Sequence, residues 1–342
     1  MRRGSIVRMV IYGVLAGTVA SLIAVLVPWL PTSASEEMDR ITFTFWFTTV
    51  ICIGIFAIVA AIIMYCVLKF RAAPDDERDG PPVHGHTGLE IAWTAVPAVL
   101  VTAISVVSAI VLAQNDDPGS DPLRISVTAQ QFAWSFEYPG EGEQRLRSGE
   151  LVLPVGRKVL LTMNAQDVIH SFWVPEFGQK KDAVPGIDTT LVITPKRIGS
   201  FSVVCTELCG LGHATMRAPV SVVSREDYDA YLARLASPPG GGGGQQGAET
   251  GEQVFNAAGC GGCHAFEPAG SDSEVGPGLD DLAGAAQNAG LGLEEFVLES
   301  IVEPDARIAP GYQGDVMPQT YETTLTAGQL DALVQYLVEG QR

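Results

Sequence analysis

Ligand-type residues are few in this chain. It has five histidines, seven methionines and six cysteines in 342 residues, so any metal or redox site has almost no rival donors. Positive charge is also short: 21 Lys and Arg stand against 39 Asp and Glu, a net charge of −18. That balance excludes a surface built for phosphate backbones, and no nucleic-acid partner is expected. The deficit is concentrated late in the chain, where residues 248–342 carry sixteen acidic and two basic side chains (Arg307 and Arg342), a net −14. Such a surface is either simply solvated or selects a basic partner. Long hydrophobic runs are missing after Ala113, where nothing reaches the roughly 18 to 20 residues that cross a bilayer.

Three such runs precede that point, at 9–30, 43–68 and 91–113. The first follows Arg2, Arg3 and Arg8 and leads into Ser33-Ala34-Ser35-Glu36, with small residues at the minus-three and minus-one positions of a signal-peptidase site. Residues 1–35 are therefore a cleavable signal peptide or a first transmembrane helix. In either case Glu36 lies outside, and residues 36–116 form a transmembrane helical hairpin that returns the chain to the outside. Lys69 and Arg71 stand at its inner end, as the positive-inside rule requires. Cys52 and Cys66 fall within a hairpin helix and read as small apolar residues.

Asp117-Pro-Gly then opens a segment, 117–227, of short β-prone runs at 123–129, 131–138, 158–164, 189–193, 201–205 and 218–223. This pattern predicts a β-sandwich. Residues 228–247 read as a Pro/Gly-rich linker centred on Ser237-Pro-Pro and five glycines; about ten flexible residues there would span about 17 Å. Residues 248–342 read as an all-α domain with helices at 251–258, 293–301 and from Thr326. Thr326 and Gln329 make a capping box for the last helix, and Leu330, Leu333, Val334 and Leu337 its apolar stripe. The expected fold class is a membrane-anchored multidomain chain.

Two motifs carry chemistry. The first is Cys205-Thr-Glu-Leu-Cys209-Gly-Leu-Gly-His213-Ala-Thr-Met216, with His170 in Asp167-Val-Ile-His170-Ser. The sandwich has no other histidine and only Met163 as a further methionine. Thiolates, imidazoles and a thioether together suit copper. A single blue-copper ion uses one Cys, two His and a weak Met; the second Cys favours two coppers bridged by both sulfurs. In the sandwich frame Cys205 ends a strand, residues through Met216 form a loop, and His170 comes from another loop. The second motif, Cys260-Gly-Gly-Cys263-His264, is the attachment pattern of c-type haem, with two thioethers and His264 as fifth ligand. Met317 is the sole methionine after Met216, and His264 the sole histidine after His213. Methionine opposite histidine raises the haem potential and closes the iron, as an electron carrier needs.

The stretch 43–223 resembles subunit II of the haem-copper oxidases. Besides the copper loop, the matching segments are 84–97 (HGHTGLEIAWTAVP), 131–139 (QFAWSFEYP) and 167–186 (DVIHSFWVPEFGQKKDAVPG). The resemblance implies a cupredoxin-like sandwich with a dinuclear CuA centre. By that likeness Cys205 and Cys209 bridge the coppers, His170 and His213 each bind one, and Met216 and the Glu207 carbonyl complete the set. It also implies that the Glu207 side chain reaches a magnesium shared with subunit I. Glu90 matches a carboxylate at the mouth of a proton channel in subunit I, against the plainer reading of a solvated charge at a helix start. The tail resembles small cytochrome c domains, with Gly276-Pro277-Gly278-Leu279 and Gly311-Tyr312 in place; that likeness makes Pro277 the acceptor for the unliganded nitrogen of His264.

Sandwich and cytochrome on one chain resemble the caa-type branch of that family. The resemblance implies an electron-input subunit of cytochrome-c oxidase, a proton-translocating enzyme whose oxygen-reducing site is on another chain. Cytochrome c or a quinol–cytochrome c reductase would be the donor, subunits I and III the partners. The setting implied is a bacterial cell membrane, multi-pass, with both soluble domains extracytoplasmic. A nitric oxide reductase with the same input module and a free-standing membrane-tethered carrier are the alternatives. One departure stands out: the family usually has a tryptophan at Phe132, through which soluble cytochrome c delivers electrons. The tethered haem is expected to relax that requirement. The acidic tail is expected to receive a basic carrier at rates that fall with salt.

Overall fold

The computed structural model describes residues 3–71, 82, 84–140, 142, 145–236, 250–314, 316–319 and 321–341. It divides into two compact units, Met1–Thr32 with Met38–Asp117, and Ser33–Glu37 with Pro118–Arg342.

The first unit contains α1 (Arg3–Leu26), α2 (Glu36–Lys69) and α3 (Thr87–Asn115). All three are long and apolar enough to cross a membrane. At 1.5 Å per residue α2 is about 51 Å long, against about 30 Å of hydrocarbon, so its charged first turn extends beyond the lipid. Helices α1 and α2 meet through small residues: a methyl group on Gly13 or Gly17 would lie 3.4 Å from Ala61 Cβ or Ala57 Cβ. Close backbone approach of this kind supplies the packing that apolar surface alone cannot supply in lipid. Arg40 donates to Asn115 Oδ1 at 3.0 Å, tying α2 to α3. At the start of α3 the His86 side chain accepts from Leu89 N, and Glu90 Oε1 accepts from His86 N at 2.9 Å. Glu90 thus caps its own helix, where the macrodipole favours a carboxylate.

Among the described residues, the second unit holds ten sandwich strands: β1 (Leu123–Gln130), β2 (Ala133–Pro139), β3 (Arg145–Ser148), β4 (Leu151–Pro154), β5 (Val159–Ala165), β6 (His170–Trp173), β7 (Lys180–Ala183), β8 (Thr189–Ile193), β9 (Gly199–Cys205) and β10 (Arg217–Val223). They form two sheets, β3-β2-β1-β5-β8 and β4-β10-β9-β6-β7. Alternation builds the core: Ile125, Val127 and Ala129 point inward from β1, and Trp134, Phe136 and Tyr138 from β2. A strand's side chains alternate between faces, so one apolar set per strand lines the interlayer space. His170, expected on a loop, instead heads β6, where pairing with Ala183 fixes its backbone.

Two boundaries differ from the sequence reading. Ser33–Glu37 is built into the sandwich: Ala34 N donates to the Glu176 carbonyl and Glu36 N to the Thr194 carbonyl. Glu37, buried, accepts from Thr194 N at 2.8 Å and Thr194 Oγ1 at 2.9 Å. Residues 228–236, read as the start of the linker, belong to helix α4 (Arg225–Ala236). Tyr228, Tyr231, Leu232 and Leu235 recur at helical spacing and pack on the sandwich core, a periodicity masked by the nearby Pro/Gly composition. The remaining linker, 237–247, lies outside the described residues.

The tail folds into α5 (Gly251–Ala257), α6 (Leu282–Ala289), α7 (Leu293–Val302), α8 (Tyr321–Thr324) and α9 (Ala327–Glu339), with a two-residue ribbon pairing Ala265–Phe266 with Ser271–Asp272. The expected Thr326–Gln329 capping box is present, and a second one, Thr250–Gln253, starts α5. Helices α5 and α9 cross so closely that a methyl group on Gly251 would collide with the Ala332 carbonyl and Tyr336 Cβ. Phe255, Phe266 and Tyr336 form an aromatic cluster beside this crossing.

Candidate metal and haem centres

Strand β9 ends at Cys205, and the loop to β10 returns through Cys209, His213 and Met216. The two sulfurs lie 3.8 Å apart. Around them the donors separate into two sides. His170 Nδ1 is 3.9 Å from Cys205 Sγ, while His213 Nδ1 and Met216 Sδ lie 3.6 and 3.8 Å from Cys209 Sγ. The Glu207 carbonyl is 3.3 Å from Cys205 Sγ, and the Glu207 side chain is exposed. Two thiolates at this separation can bridge soft ions held roughly 2.3 Å from each sulfur. The donor set therefore fits copper, with one imidazole available on each side.

Three neighbours that the motif reading passed over hold this loop. Asp167 Oδ1 accepts from His170 Nε2 at 2.8 Å, and Asp167 Oδ2 accepts from Gln131 N at 2.7 Å. The Gln131 side-chain amide donates to the Cys209 carbonyl at 2.5 Å. The Trp134 ring stands edge-on to His170, centroids 6.1 Å apart. A carboxylate on the far nitrogen of a metal-binding imidazole fixes its tautomer and raises its basicity. The sequence signal for Asp167 was its place three residues before His170.

Electrostatics separates the two thiols. Burial raises both, but His170 and backbone donors bring Cys205 below its ordinary value. Cys209 remains above, because burial is joined by the neighbouring Cys205 charge. For His170, burial lowers the imidazole, yet the Asp167 and Cys205 partners raise it to about 8. For Asp167 burial is opposed by its hydrogen bonds, and the carboxyl stays below the usual range. Filling the site with metal displaces the protons that remain on these groups.

In the tail, Cys260, Cys263, His264 and Met317 line one cavity of about 450 Å³. All six cysteines of the chain are free. Burial pushes Cys260 up to about 12 and Cys263 up to about 11, so these are uncharged thiols, unlike Cys205. His264 Nδ1 lies 2.7 Å from the Pro277 carbonyl, which leaves Nε2 as the nitrogen able to bind iron. Burial lowers the His264 imidazole, with the Pro277 contact opposing, so it stays neutral, the ligand form. Two thiols, a neutral imidazole and a thioether around one apolar cavity fit a covalent haem. Phe132 and Leu211, from the sandwich, line the same cavity.

Fold and sites together define a membrane-anchored electron-transfer subunit with a cupredoxin-like domain and a cytochrome c domain. Residues 22–111 match the transmembrane domain of cytochrome c oxidase subunit II, residues 141–224 its periplasmic domain, and residues 248–341 cytochrome c. Cytochrome c oxidase subunit 2 of Alkalihalophilus pseudofirmus is 33% identical over 307 residues, covering 84% of each chain. The Synechocystis protein of the same name is 32% identical over 257 residues, covering 61% of this chain and 76% of its own. The periplasmic domain of subunit II of cytochrome oxidase of Bradyrhizobium japonicum, a crystal structure, is 30% identical over 34% of this chain and 95% of that one, with a TM-score of 0.32. The chain belongs to the cytochrome c oxidase subunit II family, in the form that carries its own cytochrome c domain. It is a membrane protein with an extracytoplasmic domain, part of an oxidoreductase complex with subunit I, and its family implies copper and haem c.

Proposed function

We propose that the chain receives single electrons at a covalent haem c, passes them to a dinuclear CuA centre, and delivers them to subunit I for reduction of oxygen to water coupled to proton translocation. The observation that carries this reading is the paired geometry at the copper loop: two sulfurs 3.8 Å apart, with one imidazole beside each. Cys205 and Cys209 would hold both ions, His170 and His213 would hold one each, and Met216 and the Glu207 carbonyl would complete the set. Bound copper and haem supply one-electron redox chemistry. The protein's part is to hold every ligand in place, so that little moves when charge changes. Asp167 and Trp134 lock the His170 ring, and Cys205, Cys209, Met216 and His170 are buried although the loop's tip is exposed, which keeps water from these donors. With these donors engaged, neither group would take a substrate, and each would serve electron transfer alone.

Cys260 and Cys263 would hold the haem covalently, His264 and Met317 would hold its iron, and the Pro277 carbonyl orients the imidazole. The exposed Glu207 carboxylate is free to reach a magnesium shared with subunit I, and Glu90 serves a proton-channel entrance there. Subunit III is a further partner, and the donor is cytochrome c or a quinol–cytochrome c reductase. The membrane is bacterial, with multiple spans. Rapid mixing of the purified complex with a reduced donor tests the order. The haem c band should reduce before the copper absorption bleaches; copper reduction ahead of haem would overturn the proposed route.

A further inference from the structure

The haem-attachment segment and the copper loop touch. Gly259, at φ +75°, lies in the left-handed region that favours glycine. A methyl group built there would be 2.8 Å from Ala133 Cβ and 3.5 Å from the Phe132 carbonyl. A methyl group on Gly262 would be 3.6 Å from Thr215 Oγ1 and 3.8 Å from the Thr215 carbonyl. Thr215 sits between His213 and Met216, and Gly262 between Cys260 and Cys263. Cys263 itself packs against the sandwich core. The copper loop in turn receives Phe132, since a methyl group on Gly212 would be 2.5 Å from its Cδ2.

We infer that Gly262 against Thr215 is the electron-crossing contact between the two centres, and that Gly259 against Ala133 sets its register. This rests on the proposed haem and copper assignment. Electron tunnelling is fastest through bonded atoms and short contacts. Here one bonded step leads from Cys263 to Gly262, one through-space gap that a methyl group would fill in ordinary contact leads to Thr215, and one bonded step leads to Met216. One electron moves: the haem iron is oxidised by one unit and the copper pair reduced by one. No bond forms or breaks and no proton is required. The small residues keep this gap short, and a bulky side chain on either face would widen it. Gly262 is not among the positive-φ glycines, so a side chain there is free of backbone strain and its outer atoms enter the interface.

The test uses the full chain in its purified complex, with Gly262→Leu on the haem side, Ala133→Leu on the sandwich side, and Gly262→Ala as the conservative control. Three readouts are taken: the separate haem and copper spectra with their potentials, the rate of haem-to-copper transfer, and the enhancement of copper spin relaxation by ferric haem. Both leucine variants should slow transfer by on the order of tenfold or more, as expected when a reacting pair is displaced by about 1 Å. They should also weaken the relaxation enhancement, with each centre's own spectrum and potential unchanged, while Gly262→Ala keeps both. Wild-type transfer in both leucine variants, with spectra intact, would overturn the inference. A wild-type protein lacking either the haem or the shared-electron copper signal would instead sink the site assignment, and this inference with it.

Discussion

Removing the Asp167 carboxylate should loosen the copper site without touching a ligand. Asp167 accepts three hydrogen bonds, from His170 Nε2 at 2.8 Å, Gln131 N at 2.7 Å and Val168 N at 2.6 Å. Asp167→Ala deletes all three and leaves His170, which is fully buried, without its partner. A hydrogen bond to a charged group contributes about 1.5–3 kcal/mol. The Asp167 side chain is 30% exposed, so solvent screening places the loss in the lower half of that range. An outer partner of this kind changes metal affinity by about 10–100-fold, and the lower half of the energy range corresponds to roughly 13-fold to 45-fold. The assay is competition for copper between the purified protein and chelators of graded affinity, followed by the copper absorption. Asp167→Asn, which keeps one accepting oxygen, should fall between wild type and alanine. Equal copper retention by wild type and Asp167→Ala would refute the claim that Asp167 orients His170.

Tyr138 donates to the Glu150 carbonyl and accepts from Val152 N at 2.7 Å, so Tyr138→Phe should cost the sandwich about 1–3 kcal/mol in denaturant titration by orphaning a buried donor. Burial raises Tyr138, Tyr228 and Tyr231 above their ordinary values, Tyr231 to about 12. A raised folded pKa means the neutral form is favoured by folding. The stabilisation is therefore complete below about pH 10, the unfolded tyrosine value, and is lost as pH climbs through the folded values; between these values the phenolate absorbance of these three residues should rise together with unfolding. Met317→Ala should leave the haem covalently attached but lower its potential and open the iron to added ligands, read by optical titration. Gly251→Ala forces α5 and α9 apart and should destabilise the cytochrome domain by about 1–3 kcal/mol, with the copper spectrum unchanged.

What was legible in the sequence was whatever repeats with a period. Six strands, the three long apolar helices and the last helix with its capping box all lie where alternation or helical spacing placed them. The four strands that escaped are four residues each, too short to alternate twice; β4, Leu151–Pro154, is buried throughout and shows no alternation at all. Helix α4 escaped because its sequence borders the Pro/Gly run. The candidate copper donors stand out in the sequence through their motif and its family resemblance, with few other histidines and methionines beside them. Their supports do not. Asp167, Gln131 and Trp134 are ordinary residue types whose roles depend on which loop folds over which strand. The same holds for Gly259 and Gly262, which read as spacing within a motif until Ala133 and Thr215 are seen opposite them.

On the proposed reading, two coppers and one haem share this chain. Metal and haem analysis of the purified full-length protein, with optical and electron paramagnetic resonance spectra, tests it most directly. Two coppers sharing one unpaired electron, together with one low-spin haem c, are expected. One copper or none, in a fully matured preparation with its haem in place, would contradict the dinuclear centre at Cys205 and Cys209.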